Sequence, residues 1–93
     1  MHKHVYRFMK QEITVKVMLY SGLDKEVQIQ GYDPYKGILI NMPINARLRN
    51  LVALLSFKDK YSVAYFINGN KAGMWQALKD NDKIECIKPV AGG

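Results

Sequence analysis

Cysteine is almost missing from this chain: Cys86 stands alone among 93 residues. One thiol excludes an intramolecular disulfide and any zinc cluster built on several cysteines, and it fits a reducing cytoplasm. Long apolar runs are absent too, and none approaches the roughly 20 residues of a membrane helix. The first ten residues, Met1-His2-Lys3-His4-Val5-Tyr6-Arg7-Phe8-Met9-Lys10, are basic but hold neither the apolar core nor the cleavage site of an export signal. Low-complexity stretches and internal repeats are lacking, which argues against disorder and against repeat arrays. The 14 Lys and Arg outnumber the 8 Asp and Glu, for a net charge of +6, yet they are scattered from Lys3 to Lys88 with no three together. Scattering of this kind reads as solvated surface rather than as a track for nucleic acid.

The constellations that would carry catalysis are also incomplete. His2 and His4 have no third ligand nearby, Cys86 has no histidine near it in sequence, and turn chemistry accounts for Asp80 and Asp82. Asn68-Gly69 lacks the further glycines and the lysine of a phosphate loop. No catalytic residue, no metal site and no bound cofactor is therefore expected. A chain of this length forms one domain with one core, too small for a deep enzyme cavity.

What is present is a regular alternation of elements. Ile13 to Tyr20 alternates, with Ile13, Val15, Val17 and Leu19 on one face, and predicts a half-buried strand. A polar stretch follows, with a short edge strand expected at Val27-Gln28-Ile29 and a turn at Asp33-Pro34-Tyr35-Lys36-Gly37. Gly37 to Met42 reads as a second strand closed by Pro43. The period then changes: Leu48, Leu51, Val52 and Leu55 recur at helical spacing, which predicts a helix over 46–56 with Asn45 as its cap. Arg47 and Arg49 near its start read as solubilising surface, with a partner as the alternative. Tyr61 to Ile67 predicts a third strand running into Asn68-Gly69, a strong hairpin signal, and Asn70-Lys71 starts a short return strand. After a loop through Trp75 and a turn at 79–82, Asp82 to Lys88 reads as the last strand. Strand, strand, helix and further strands make an α+β fold, a β-grasp (ubiquitin-like) mixed sheet with one face covered by a helix. Its first and last strands should lie parallel in the middle.

The chain then ends on Pro89-Val90-Ala91-Gly92-Gly93. Pro89 suits the point where a strand stops, and Gly-Gly has no side chains to block the last carboxylate. Four extended residues reach roughly 13–14 Å. Such a tail can thread a narrow active site in another protein. The organisation expected is a basic extension over 1–12, a β-grasp domain over 13–89 and a flexible tail over 90–93.

Three segments together resemble the ThiS/MoaD family of ubiquitin-like sulfur carriers. Phe66-Ile67-Asn68-Gly69-Asn70 is similar to the family's apolar-x-Asn-Gly strand and turn. Leu78-Lys79-Asp80-Asn81-Asp82-Lys83-Ile84 resembles its Leu-x-x-Gly-Asp-x-Val segment. Lys88-Pro89-Val90-Ala91-Gly92-Gly93 resembles its Pro-Val-Ala-Gly-Gly ending. Asn81 replaces the usual Gly, but Asn tolerates the same left-handed backbone. The longer stretch from Ser21 to Lys36 makes the resemblance more MoaD-like than ThiS-like, whereas the basic balance and the extension through Gln11 depart from the pattern.

The resemblance implies a co-substrate, not an enzyme. An adenylating protein similar to ubiquitin-activating enzymes would use Mg-ATP to activate the carboxylate of Gly93, and a persulfide donor would convert it to a thiocarboxylate. A MoaE-like synthase would then take the sulfur for molybdopterin, or a ThiG-like synthase for the thiazole of thiamine. Gly92, Ala91 and Val90 would thread the partner's constriction. Phe66, Trp75 and Ile87 are the docking candidates, although Phe66 and Ile87 also suit a core, whereas Trp75 sits in a loop. The alternatives are a protein modifier joined to lysines through Gly93, and a β-grasp nucleic-acid module suggested by the basic charge and Tyr32, Tyr35, Tyr61 and Tyr65.

Overall fold

The computed structural model describes residues 11–27 and 29–89. Its elements run β1 (Glu12–Leu19), α1 (Leu23–Val27), β2 (Ile38–Pro43), α2 (Leu48–Leu55), a 3₁₀ turn (Lys60–Ser62), β3 (Ala64–Ile67), β4 (Asn70–Lys71) and β5 (Lys83–Ile87). The sheet order is β2-β1-β5-β3-β4. β1 and β5 pair in parallel from Lys16↔Lys83 to Leu19↔Cys86, while β1–β2, β3–β5 and β3–β4 pair antiparallel. This is the β-grasp arrangement, with its parallel pair in the centre as the alternation of apolar faces requires.

The core lies between the sheet and α2. Val15 and Val17 from β1, Ile84 and Cys86 from β5, Tyr65 and Ile67 from β3 and Met42 from β2 meet Leu48, Leu51, Val52 and Leu55 from α2. The four helix residues are the i, i+3, i+4, i+7 stripe of the sequence, and each buried side chain of this size stabilises by about 1.5–3 kcal/mol. Burial also pushes the Cys86 thiol up to about 12, so it stays protonated and behaves as a small apolar side chain.

Several expected boundaries move. No strand forms at Val27-Gln28-Ile29 among the described residues; Val27 instead ends α1, and Gln28 lies outside them. A three-residue alternation cannot compete with the full burial of Leu23, which the helical turn after Ser21 and Gly22, both left-handed, delivers to the core. Tyr32 takes up the rest of β1's edge: its hydroxyl accepts from Leu19 N at 2.7 Å and donates to Leu19 O at 3.1 Å. α2 begins two residues later than expected, and Asn45 is not its cap; Asn45 adopts φ 74 in a turn. The backbone of 46–47 is claimed by another strand-like partner, because Leu78 N donates to Ala46 O and Arg47 bridges to Ala77. Arg47 N then donates to Asn50 Oδ1 at 2.8 Å, the reverse arm of a capping box. β3 starts at Ala64 rather than Tyr61 because Asp59 caps the 3₁₀ turn by accepting from Tyr61 N.

The turns hold as expected. Asp33 Oδ1 accepts from Tyr35 N and Lys36 N, closing the Asp-Pro turn. Asn68 and Gly69 both have positive φ (52 and 86), the geometry of a two-residue hairpin loop. Asn81 takes the left-handed conformation that its place in the 79–82 turn requires.

Candidate functional site

β5 occupies the centre of the sheet, and residues 90–93 follow it in sequence after Lys88 and Pro89. At its start, Asp82 is buried. Its carboxylate accepts from Asn68 Nδ2 and from Lys79 N, each at 2.8 Å. Asn68 in turn accepts from Lys83 N at 2.9 Å through its own Oδ1 and donates its backbone N–H to Lys83 O. One side chain thus fastens the β3–β4 hairpin to the start of β5, and another fastens the loop before it.

At its end, Tyr20 N donates to Cys86 O at 2.9 Å, the last ladder bond. Beyond it, Ser21 Oγ accepts from Lys88 N and donates to Lys88 O, each at 3.3 Å. The Lys88 ammonium pairs with Glu26 at 3.1 Å. Glu26 also accepts from Lys58 N, and this bond first, then the Lys88 ammonium, holds its carboxyl below the usual glutamate range. The chain is therefore held at Lys88, two residues before Val90 in the sequence. Val90, Ala91, Gly92 and Gly93 lie outside the described residues, as do His2 and His4.

The docking candidates separate. Phe66 and Ile87 are half-buried on the sheet face turned away from α2 and take no part in the core. The core role that also suited them is therefore corrected: β3 buries Tyr65 and Ile67, and strict alternation turns Phe66 outward, as it turns Ile87 away from Ile84 and Cys86. On this face Ile87 stands opposite Ala64, and Phe66 lies between Glu85 and Lys71. Tyr20 donates its hydroxyl to Glu85 at 3.1 Å; burial and then this bond raise the tyrosine above its ordinary value. Apolar side chains ringed by charged ones make a surface suited to a protein contact.

Trp75 does not join them. Its loop is tied to the start of α2, where Leu48 N and Arg49 N donate to Gln76 O and Met74 O. The ring is 68% exposed, with the Arg49 guanidinium 4.5 Å from its centroid, and Arg47 Nη1 donates to its carbonyl at 2.7 Å. Residue types in the sequence singled out Trp75, but the pairing with two arginines depends on a loop–helix approach that spacing alone does not reveal. Among the described residues no group of three or more His, Cys, Asp or Glu is placed to hold a metal ion, and no helix is long and apolar enough to cross a membrane.

No known family profile and no curated protein matches the chain. Solved structures do. A protein provisionally described as molybdopterin converting factor subunit 1, from Pyrococcus furiosus, superposes with a TM-score of 0.67 at 23% identity, covering 84% of this chain and 99% of that one. The small archaeal modifier protein SAMP1 of Haloferax volcanii gives a TM-score of 0.64 at 14% identity, covering 86% and 99%. SAMP1 of Methanosarcina acetivorans gives 0.58 at 21%, covering 88% and 98%. At these identities the likeness establishes the ubiquitin-like β-grasp fold, over nearly the full length of each neighbour.

Proposed function

We propose that this chain is a MoaD-like sulfur carrier, a protein co-substrate whose C-terminal Gly93 is charged with sulfur for molybdopterin (molybdenum or tungsten cofactor) synthesis. The observation that carries the reading is the placement of Val90-Ala91-Gly92-Gly93 directly after the central strand of a β-grasp sheet, in a fold shared with a protein described as a molybdopterin converting factor subunit. A carboxylate is a poor electrophile. Attack of the Gly93 carboxylate on the α-phosphorus of Mg-ATP, in an adenylating partner, releases pyrophosphate and creates an acyl-adenylate with a good leaving group. The terminal sulfur of a persulfide then attacks the acyl carbon and AMP departs. A second thiol cleaves the resulting S–S bond, forming a disulfide and leaving the thiocarboxylate for a MoaE-like synthase.

The catalytic groups belong to those partners; this chain supplies the anchored strand, the slender tail and a docking face. Phe66 and Ile87, half-buried beside the end of β5, are the docking residues of that face. The reactions take place in a reducing cytoplasm, where a lone, protonated Cys86 does not compete for sulfur. A second reading, conjugation of Gly93 to lysines of other proteins, is favoured by the likeness to the two archaeal modifier proteins and shares the adenylation step. The thiamine branch and a nucleic-acid module have no such support.

The test is intact-mass spectrometry, with a thiocarboxylate-selective label, after incubation with a cognate adenylating enzyme, Mg-ATP and a persulfide donor. Sulfur is expected on Gly93 and on no chain lacking Gly92-Gly93. Gly92→Val should fold normally and stay uncharged, because a branched side chain blocks the constriction the tail must pass. Normal thiocarboxylate yield from that variant refutes the threading argument. Adducts on lysines of added proteins would move the function to the modifier reading.

A further inference from the structure

We infer that Trp75, Arg49 and Arg47 form a second docking surface, separate from the end of β5, that takes an acidic segment of a partner protein. The chain carries no Asp or Glu from residue 34 to 58, nor from 60 to 79. α2, its flanks and the loop holding Trp75 all fall in these two stretches. Among the described residues the ion pairs are Lys83–Glu85 and Lys88–Glu26, so neither arginine meets a carboxylate. Among the described residues the protein thus presents two guanidinium groups beside a largely exposed indole with no carboxylate paired to them.

The cluster is also held in place before any partner arrives. Arg49 lies 4.5 Å from the Trp75 ring centroid, and Arg47 is fixed by its bond to the Trp75 carbonyl. The loop itself is pinned to Leu48 N, Arg49 N and the Arg47–Ala77 bridge. Ordering these side chains in advance removes a cost that binding otherwise carries. Trp and Arg are also the residues most enriched where binding energy concentrates. The backbone N–H groups at the start of α2 are already used, by Gln76 O, Met74 O and Asn50 Oδ1, so the guanidinium groups and not the helix terminus are the anion partners.

The surface favours a protein over a nucleic acid. A single-strand track needs several stacking rings along a basic groove, whereas Trp75 is alone here and one side of its ring is taken by Arg49. Tyr61, also strongly exposed, follows the opposite end of α2. That opposite end is where Lys58, Glu26 and Lys88 meet at the end of β5. A partner held at Trp75 therefore leaves the end of β5 uncovered.

Trp75 is the only tryptophan of the chain, so intrinsic fluorescence reports on this surface directly. The full chain is titrated with a short synthetic peptide of Asp, Glu and Leu, with its Asn/Gln isostere, and with oligothymidylate. The acidic peptide should shift the emission saturably, weaken with salt, and bind roughly tenfold less tightly to Arg49→Glu. Arg49→Lys, which keeps the charge and loses the planar stack, should fall between the two and serves if the charge reversal does not fold. An isostere that binds as well, a response untouched by both Arg49 substitutions, or no saturable response overturns the proposal. Tighter binding of oligothymidylate overturns it in favour of nucleic acid.

Discussion

The start of β5 is fastened by a buried carboxylate, whereas its end is fastened by a serine hydroxyl and a surface ion pair. At the start, Asp82 and Asn68 make four bonds of 2.8–2.9 Å to two turns and to Lys83. At the end, the Ser21 bonds to Lys88 are 3.3 Å long and Lys88 is nearly half exposed. Hydrogen bonds to a carboxylate contribute about 1.5–3 kcal/mol, whereas ion pairs at the surface contribute less. The strand is thus held more firmly at its start than at its end. In the carrier reading this is a useful asymmetry: the sheet survives while a partner draws the last residues out.

The largest effect is expected at the firmly held start of β5. Asp82→Ala leaves Asn68 Nδ2 and Lys79 N without their acceptor and should destabilise the protein by about 3 kcal/mol. Chemical denaturation measures it, and a loss no larger than that of an exposed-site substitution removes the contrast between the ends. A smaller effect tests how residues 21–36 return to the sheet. Gly37 has φ +76, and a Cβ there would lie 2.5 Å from both Met18 Sδ and Val17 O. The methionine can give way but the carbonyl cannot, so Gly37→Ala should cost about 2 kcal/mol. If it is neutral, the segment after β1 is less tightly seated than Tyr32 and the Asp33 turn indicate.

These two positions also show how much of the molecule is legible in its residues. The strands, the α2 stripe, the Asn68-Gly69 hairpin and the left-handed Asn81 follow from periodicity and turn chemistry, which act over a few residues. Asp82 looks like one more turn residue until the fold brings Asn68 against it. Residues 21–36 are hardest to read. Leu23 is buried, Tyr32 replaces a strand along Leu19, and Glu26 reaches Lys58 and Lys88, all through contacts between positions far apart in sequence. The late start of α2 has the same origin, since the loop before β5 captures the backbone of Ala46 and Arg47. The candidate site divides likewise: the Gly-Gly ending is visible in the sequence, while the bracket around Lys88 is not.

The smallest effect belongs to that bracket, at the weakly held end of β5. Glu26 has its carboxyl held below the ordinary value of 4.5, first by Lys58 N and then by Lys88. A carboxyl lowered in the folded state adds stability above its unfolded value and loses it as pH falls through the folded value. Acidification below the ordinary glutamate range should therefore release Lys58 N and the Lys88 ammonium from Glu26. Two-dimensional NMR follows this through the Lys58 amide, whose proton shift should titrate with a midpoint below 4.5 and lose that titration in Glu26→Gln. The Lys88 amide should move with it, because the ammonium and the Ser21 bonds hold the same residue. Overall stability should hardly change across that step, as expected for a pair whose lysine is nearly half exposed. A global unfolding at the same pH would mean that the end of β5 is as integral to the fold as its start, and that the tail leaves from a rigid base rather than a releasable one.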